Sequence, residues 1–335
     1  MRLSRAIGED GMRRTMVAAA LAMLSAFGSA TAQDAVANFP NRAIHIVVPF
    51  PAGGPADLIA RIIGAKMSED WGQPVIIDNR PGGNTVIAAV QVAKSAPDGY
   101  TLLMAIDSTL VMNQFLYKNL PYDPLTDFVP ITSTTRTISV LAVRAADGPK
   151  DVKELIARAK AAPGKLNYGA GTITSQLMGY RFHKAAGIDI LYVPFKGTPA
   201  TVNGLLTKSV DLIYAANVIV NPLIASGQLR ALAKMDSRPA PAAADLPSLA
   251  QASGVPVEDM SIWLGLVAPK ATPPAIVLKL QQKIAQVLAD PAVAERSGRT
   301  GAYSMTSTPE EFAKFIRQEA ARWAPVLKET NIRFD

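Results

Sequence analysis

Short apolar runs at residues 44–48, 75–77, 101–105, 138–143, 190–193, 210–214, 229–233 and 262–268 punctuate the chain, and between them apolar residues return every three or four positions. A continuous apolar run bounded by turn residues predicts a strand covered on both faces, and strands alternating with helical patterns predict an α/β architecture with mainly parallel sheets. Several helix ends are legible. Asp151 and Glu154 stand at capping-box spacing before Leu155, Ile156 and Ala159, which share one face. Thr272-Pro273 opens a helix whose Ile276, Leu280, Ile284 and Leu288 recur at helical spacing until Asp290-Pro291. Thr308-Pro309-Glu310-Glu311 opens another, with Phe312, Phe315, Ile316 and Trp323 on its buried side. The Pro- and Ala-rich stretch 239–247 offers little apolar face and predicts a surface loop.

Ahead of the first run lie Arg13 and Arg14, an apolar segment over 16–27 and the small triplet Ala30-Thr31-Ala32, the three parts of a secretory signal peptide with cleavage expected after Ala32. The arginine pair also permits twin-arginine export, and an uncleaved anchor is the competing reading. The apolar segment falls short of the roughly 20 residues that span a bilayer. What remains after cleavage, about 300 residues, suffices for one large domain or two medium ones. The chain has no cysteine, which excludes disulfides, a thiolate nucleophile and cysteine-ligated metal. Its formal charge is +7, with no basic run of the kind a nucleic-acid footprint needs, so the charge supports only a mild preference for anionic ligands.

Four turns attract attention because each joins a strand to a helix. The first, Phe50-Pro51-Ala52-Gly53-Gly54-Pro55-Ala56-Asp57, combines glycines that allow close backbone approach with the free N–H groups of a helix start, a setting for a carboxylate or phosphate. The competing reading is a plain tight turn in which Asp57 offsets the helix dipole. The second is Asn79-Arg80-Pro81-Gly82-Gly83-Asn84; the third, Ile106-Asp107-Ser108-Thr109, stands where open α/β sheets place ligands; the fourth runs from Tyr168 to Ser175. Catalysis finds less support: the two histidines, His45 in a buried strand and His183 on a helix, lie in no hydrolase or zinc motif, and no metal-ligand cluster stands out.

Strings distributed along the chain, among them Val47-Val48-Pro49-Phe50-Pro51-Ala52-Gly53-Gly54-Pro55-Ala56-Asp57, Asp78-Asn79-Arg80-Pro81-Gly82, Ala96-Pro97-Asp98-Gly99-Tyr100-Thr101-Leu102-Leu103, Val193-Pro194-Phe195-Lys196-Gly197 and Trp263-Leu264-Gly265-Leu266-Val267-Ala268-Pro269, resemble the extracytoplasmic solute receptors of tripartite tricarboxylate transporters, the Bug receptors. The resemblance implies a type II periplasmic-binding-protein fold, two α/β lobes joined by two crossover strands with the ligand between them. Lobe one would take residues 33–134 and 256–335 and lobe two residues 135–255, the chain crossing near 131–137 and returning near 255–262. It implies no enzyme and no cofactor or metal, but a monomeric periplasmic receptor that passes a small organic anion, a carboxylate, to permease subunits. The ligand would meet Phe50, Pro51, Ala52, Gly53, Gly54 and Asp57, then Ser108 and Thr109. From lobe two it would meet Gly171, Thr172, Thr174 and Ser175, then Lys196, Gly197 and Thr198, with Asn217 at the rim.

This chain departs from the family pattern in three places. No Ala-Gly pair precedes Gly83, the loop from Gly169 to Ser175 is short with Gln176 where a histidine is common, and Ala216-Asn217 replaces an Asp-Asn. Presentation of the liganded form to a membrane sensor kinase is an alternative role for the same fold. A secreted hydrolase using Ser175 or Ser108 with His183 is a remote one.

Overall fold

The computed structural model describes residues 36–238, 243–299, 302–330 and 332–334. The export signal with its cleavage point, and residues 239–242 of the Pro/Ala stretch, lie outside the described residues. The chain divides at Asn41: residues 36–41 are the described part of the first unit, and Arg42–Asp335 is the second, which holds everything that follows.

Strands of the second unit gather into two sheets. One contains β1 (Ile44–Val48), β2 (Val75–Asn79), β3 (Thr101–Ile106) and β4 (Phe128–Thr137). The other is built from β5 (Ser139–Arg144), β6 (Asn167–Ala170), β7 (Leu191–Pro194), β8 (Leu212–Ala216) and β9 (Leu229–Lys234), before β10 (Ile262–Pro269) and β11 (Ala302–Ser304) rejoin the first. The six-stranded sheet has the order β11-β4-β10-β3-β1-β2 and the five-stranded sheet β7-β6-β8-β5-β9. In β1, Ile44, Ile46, Val47 and Val48 are fully buried, the pattern of a strand covered on both faces. Each such side chain contributes about 1.5–3 kcal/mol of burial. The second sheet is closed by Val140, Ala142, Ile213 and Ala215 packed with Val202, Leu205 and Val210.

Both sheets are mixed, which corrects the mainly parallel expectation. β1 runs parallel to β2 and β3, and β6 to β7 and β8, but β10 is antiparallel to β3 and β4, and β5 to β8 and β9. A parallel neighbour needs a helical crossover to bring the chain back. β4 instead passes into β5 through the single residue Ile138, still paired with β10 and β11 as far as Thr137, and enters the second sheet against the strands that helices feed. The return passes Met260, whose N–H donates to Met235 O at 2.9 Å.

Helix ends follow the sequence signals. Asp151 accepts from Glu154 N at 2.8 Å ahead of the helix Val152–Ala161, and Thr308 with Glu311 forms a full capping box for Pro309–Glu329. That last helix lies close on β10 because Gly265 leaves room for the ring of Phe312; a Cβ there would collide with it. Ala243, near the end of the Pro/Ala stretch, is buried against Ile138 rather than exposed on a loop.

Candidate functional site

Every turn singled out in the sequence follows the carboxyl end of a strand, where α/β sheets bind ligands. After β1 the chain turns through Gly53, at φ +82°, into the helix Pro55–Trp71, whose N-cap Gly54 supplies no side-chain hydrogen bond. Asp57 does not face outward from this turn. Only 2% exposed, its carboxylate accepts from Gly53 N at 2.9 Å, Arg61 Nε at 3.0 Å and Asn79 Nδ2 at 3.0 Å. Burial pushes its pKa up, but the bonds from Arg61, Gly53 and Asn79 outweigh burial and hold it below the usual carboxylate range. Asn79 Nδ2 also donates to Phe50 O at 3.0 Å, so Asp57 and Asn79 together set the turn's shape from behind.

On the five-stranded side, the helix Thr198–Leu206 likewise starts without a side-chain cap, from Gly197 at φ +87°. Gly171 comes so close that a Cβ on it would overlap the Gly197 carbonyl, which locks the turns after β6 and β7 together. A Cβ on Gly197 would stand 3.3 Å from Pro51 Cδ, so here the turns of the two sheets touch. Beside this contact lies a cavity of about 20 Å³, walled by Phe50, Gly54, Ala56, Thr172, Thr198 and Leu264 among others. Two helix starts without a side-chain cap, one from each sheet, thus converge on a space of about one water's size; Pro55 and Pro199 donate nothing there, and the other first-turn N–H groups have no capping side chain.

Next to it opens a cavity of about 460 Å³, within the range of small-molecule sites. Its walls are the turns Pro49–Pro51, Pro81–Thr85 and Ala170–Ile173, the segment Phe195–Gly197, and the side chains of Gln176, Tyr192 and Phe334. Lys196 supplies its cation. The Pro81–Thr85 turn is strained: Asn84 has φ 46° and Thr85 φ 79°, left-handed values that disfavour a β-branched residue. Asn113 holds it there, donating through Nδ2 to Asn84 O at 3.0 Å and to Thr85 Oγ1 at 3.2 Å while accepting from Asn84 Nδ2 at 2.8 Å. Thr109 Oγ1 donates to Thr85 Oγ1 at 2.9 Å, and Tyr122 Oη donates to Thr109 O at 2.8 Å.

The expected residues therefore divide. Phe50, Pro51, Gly54, Gly171, Thr172, Lys196, Gly197 and Thr198 line the two cavities. Ala52 and Gly53 sit exposed on the turn without lining either. Asp57 and Thr109 stand behind the walls as braces. The hydroxyl of Ser175 is committed to the capping box of the helix Ile173–Ala186, together with that of Thr172. Asn217 is buried, its N–H donating to Ile138 O at 2.8 Å. Ser108 is fully buried, and its Oγ has no hydrogen-bond partner among the described residues. Thr174 donates from Oγ1 to Asp107 Oδ1 at 2.7 Å, a buried bond joining the start of a helix of the second sheet to the end of β3 in the first. Burial raises the Asp107 carboxyl to about 7, against the lowering effect of Thr174 and Ser108 N. Asn113, Tyr192 and Phe334 carried no motif of their own in the sequence; Tyr192 adjoins the Val193–Gly197 string, which could have flagged it.

The hydrolase constellation is not assembled. His183 Nε2 lies 2.9 Å from Tyr214 Oη, and burial lowers its pKa to about 3, so it is neutral and already engaged. Ser175 sits on the same helix eight residues earlier, about 12 Å along the axis. His45, expected within a buried strand, has its side chain 42% exposed and its Nδ1 2.8 Å from Asp78 Oδ2.

Known proteins match this architecture along its length. The family described as tripartite tricarboxylate transporter family receptor matches residues 59–332. Protein BugT of Bordetella pertussis (strain Tohama I) is 33% identical over 325 residues, covering 96% of this chain and 99% of its own. The periplasmic binding protein BugD superposes with a TM-score of 0.82 at 33% identity, over 88% of this chain and 99% of its own. The R. palustris protein Rpa4515, solved with adipate, superposes with a TM-score of 0.84 at 33% identity, over 87% and 98%. The two mixed sheets are thus those of a periplasmic-binding-protein fold.

Proposed function

The chain belongs to the tripartite tricarboxylate transporter receptor family, and from that premise we propose that it captures a small organic carboxylate between its two sheets and hands it to a membrane permease. The family consists of solute receptors rather than enzymes. In this reading the protein is exported, cut after Ala32 and works as a monomer in the periplasm. Lobe one carries the six-stranded sheet and lobe two the five-stranded sheet, with the exchange at Ile138 and the return near Met260.

One observation carries the reading: the uncapped helix starts at Gly54 and Gly197 approach each other from different sheets at the Pro51–Gly197 contact. A carboxylate accepting N–H bonds from both has a reason to hold the lobes together, because it makes the full set of contacts only when they are closed. Thr198 and Lys196 add a hydroxyl and a positive charge, and the larger cavity takes the rest of the molecule. The relative solved with adipate supports the ligand class.

A thermal-shift screen of mono-, di- and tricarboxylates against amines and sugars tests this. At a concentration near a hundred times Kd, a true ligand stabilises by about 2.7 kcal/mol. Stabilisation by a carboxylate is the expected result; stabilisation by amines or sugars with none by any acid refutes the assignment.

A further inference from the structure

The geometry points to Phe334 as the residue that gauges ligand length, a role that rests on the carboxylate-receptor reading above. Phe334 lies in the segment after the helix Pro309–Glu329 and is distant in sequence from every other wall of the 460 Å³ cavity it lines. Its placement is fixed three ways. Its N–H donates to Leu116 O at 2.8 Å, making a parallel bridge between Tyr117 and Phe334. Its ring packs on Tyr117 with centroids 5.1 Å apart. The preceding residue, Arg333, donates from Nη1 to Thr330 O at 3.2 Å and to Ile332 O at 2.6 Å.

Tyr117 in turn donates from Oη to Gly83 O at 2.8 Å, so the Phe334 ring and the strained Gly82–Thr85 turn form one continuous wall. Lys196 and Gln176 bring a charge and an amide to this cavity from the five-stranded side, and on the strained turn the amide of Asn84 and the hydroxyl of Thr85 are engaged with Asn113, whereas Phe334 offers only carbon. A diacid with one carboxylate at the helix-start N–H groups and the other at Lys196 therefore packs the methylenes between them against Phe334, which itself accepts no charge. Ring size there sets how long an apolar body the cavity admits.

The test titrates wild type, Phe334→Ala and Phe334→Trp with linear α,ω-dicarboxylates of increasing chain length. The wild type is expected to prefer one length. Phe334→Ala should move the preference to longer acids and Phe334→Trp to shorter ones, with the long-to-short affinity ratio changing on the order of tenfold per methylene. Tyr117→Phe, which frees the Gly83 carbonyl and keeps the ring contact, should leave the preferred length in place and weaken the whole series evenly. If both Phe334 variants scale all acids by one common factor, the gauge is overturned. If Phe334→Ala fails to fold, the Trp variant decides alone, since it leaves no void. A wild type that binds no acid in the series overturns the receptor reading itself and this inference with it, a result distinct from binding without a shifted preference.

Discussion

Asp57 and Asp107 are both buried carboxylates beside the cleft, and they answer to pH in opposite ways. Asp57 is held ionised by Arg61, Gly53 N and Asn79, so its folded pKa lies below its unfolded one. The stability it contributes is present above the unfolded value and is lost as pH falls through the folded one. Asp57→Asn should cost about 1–3 kcal/mol at neutral pH, read by urea unfolding, and should blunt the loss of stability in acid. Asp107 is raised to about 7 from an unfolded value near 3.8, chiefly by burial, with Glu319 adding repulsion. Between those values the folded state binds more protons than the unfolded state, so stability falls as pH rises and levels off above the folded pKa. Asp107→Asn keeps an acceptor for Thr174 and should stabilise the protein by roughly 2–4 kcal/mol at pH 8, with the gain shrinking steadily as pH falls and nearly gone by about pH 4; equal effects at pH 8 and pH 4 would contradict the buried-carboxyl account. The Phe50–Asp57 turn was legible because Pro and Gly punctuate it. The inward aim of Asp57 was not, because its partner Asn79 lies on another strand.

At the scale of elements, the turns after β6 and β7 work as a unit. Gly171→Ala would drive a methyl into the Gly197 backbone and displace the start of the helix Thr198–Leu206. The expected cost is about 1–3 kcal/mol of stability, with loss of carboxylate binding out of proportion to it; unchanged affinity would show that the turn spacing is irrelevant to the ligand. The sequence disclosed strands and helices unevenly, for physical reasons. The helix Pro309–Glu329 announces itself through Thr308 and Glu311, which form its cap as spaced. β4 does not, because from Thr132 to Thr137 its buried side chains are mostly small hydroxyls rather than aliphatic ones. β6, four residues ending in Tyr168-Gly169-Ala170, is too short for periodicity to register and shows in the sequence only through the glycine-rich turn it feeds. Parallel direction was over-predicted because apolar runs reveal burial and say nothing of the way a strand points. The absence of a helix between β4 and β5 settles that question only once the sheets are known.

For the molecule as a whole, the family resemblance carried the fold, and the site's outline followed from turns at strand ends. The far wall did not, since Phe334 reaches the cavity from another part of the chain by a single bridge to Tyr117. The central claim is that paired helix starts and Lys196 hold a negative charge between the two sheets. Calorimetric titration with a dicarboxylate and with the diamide of the same length tests it most directly. Saturable binding of the acid with no detectable binding of the diamide is the predicted result; equal affinity for the two would contradict it.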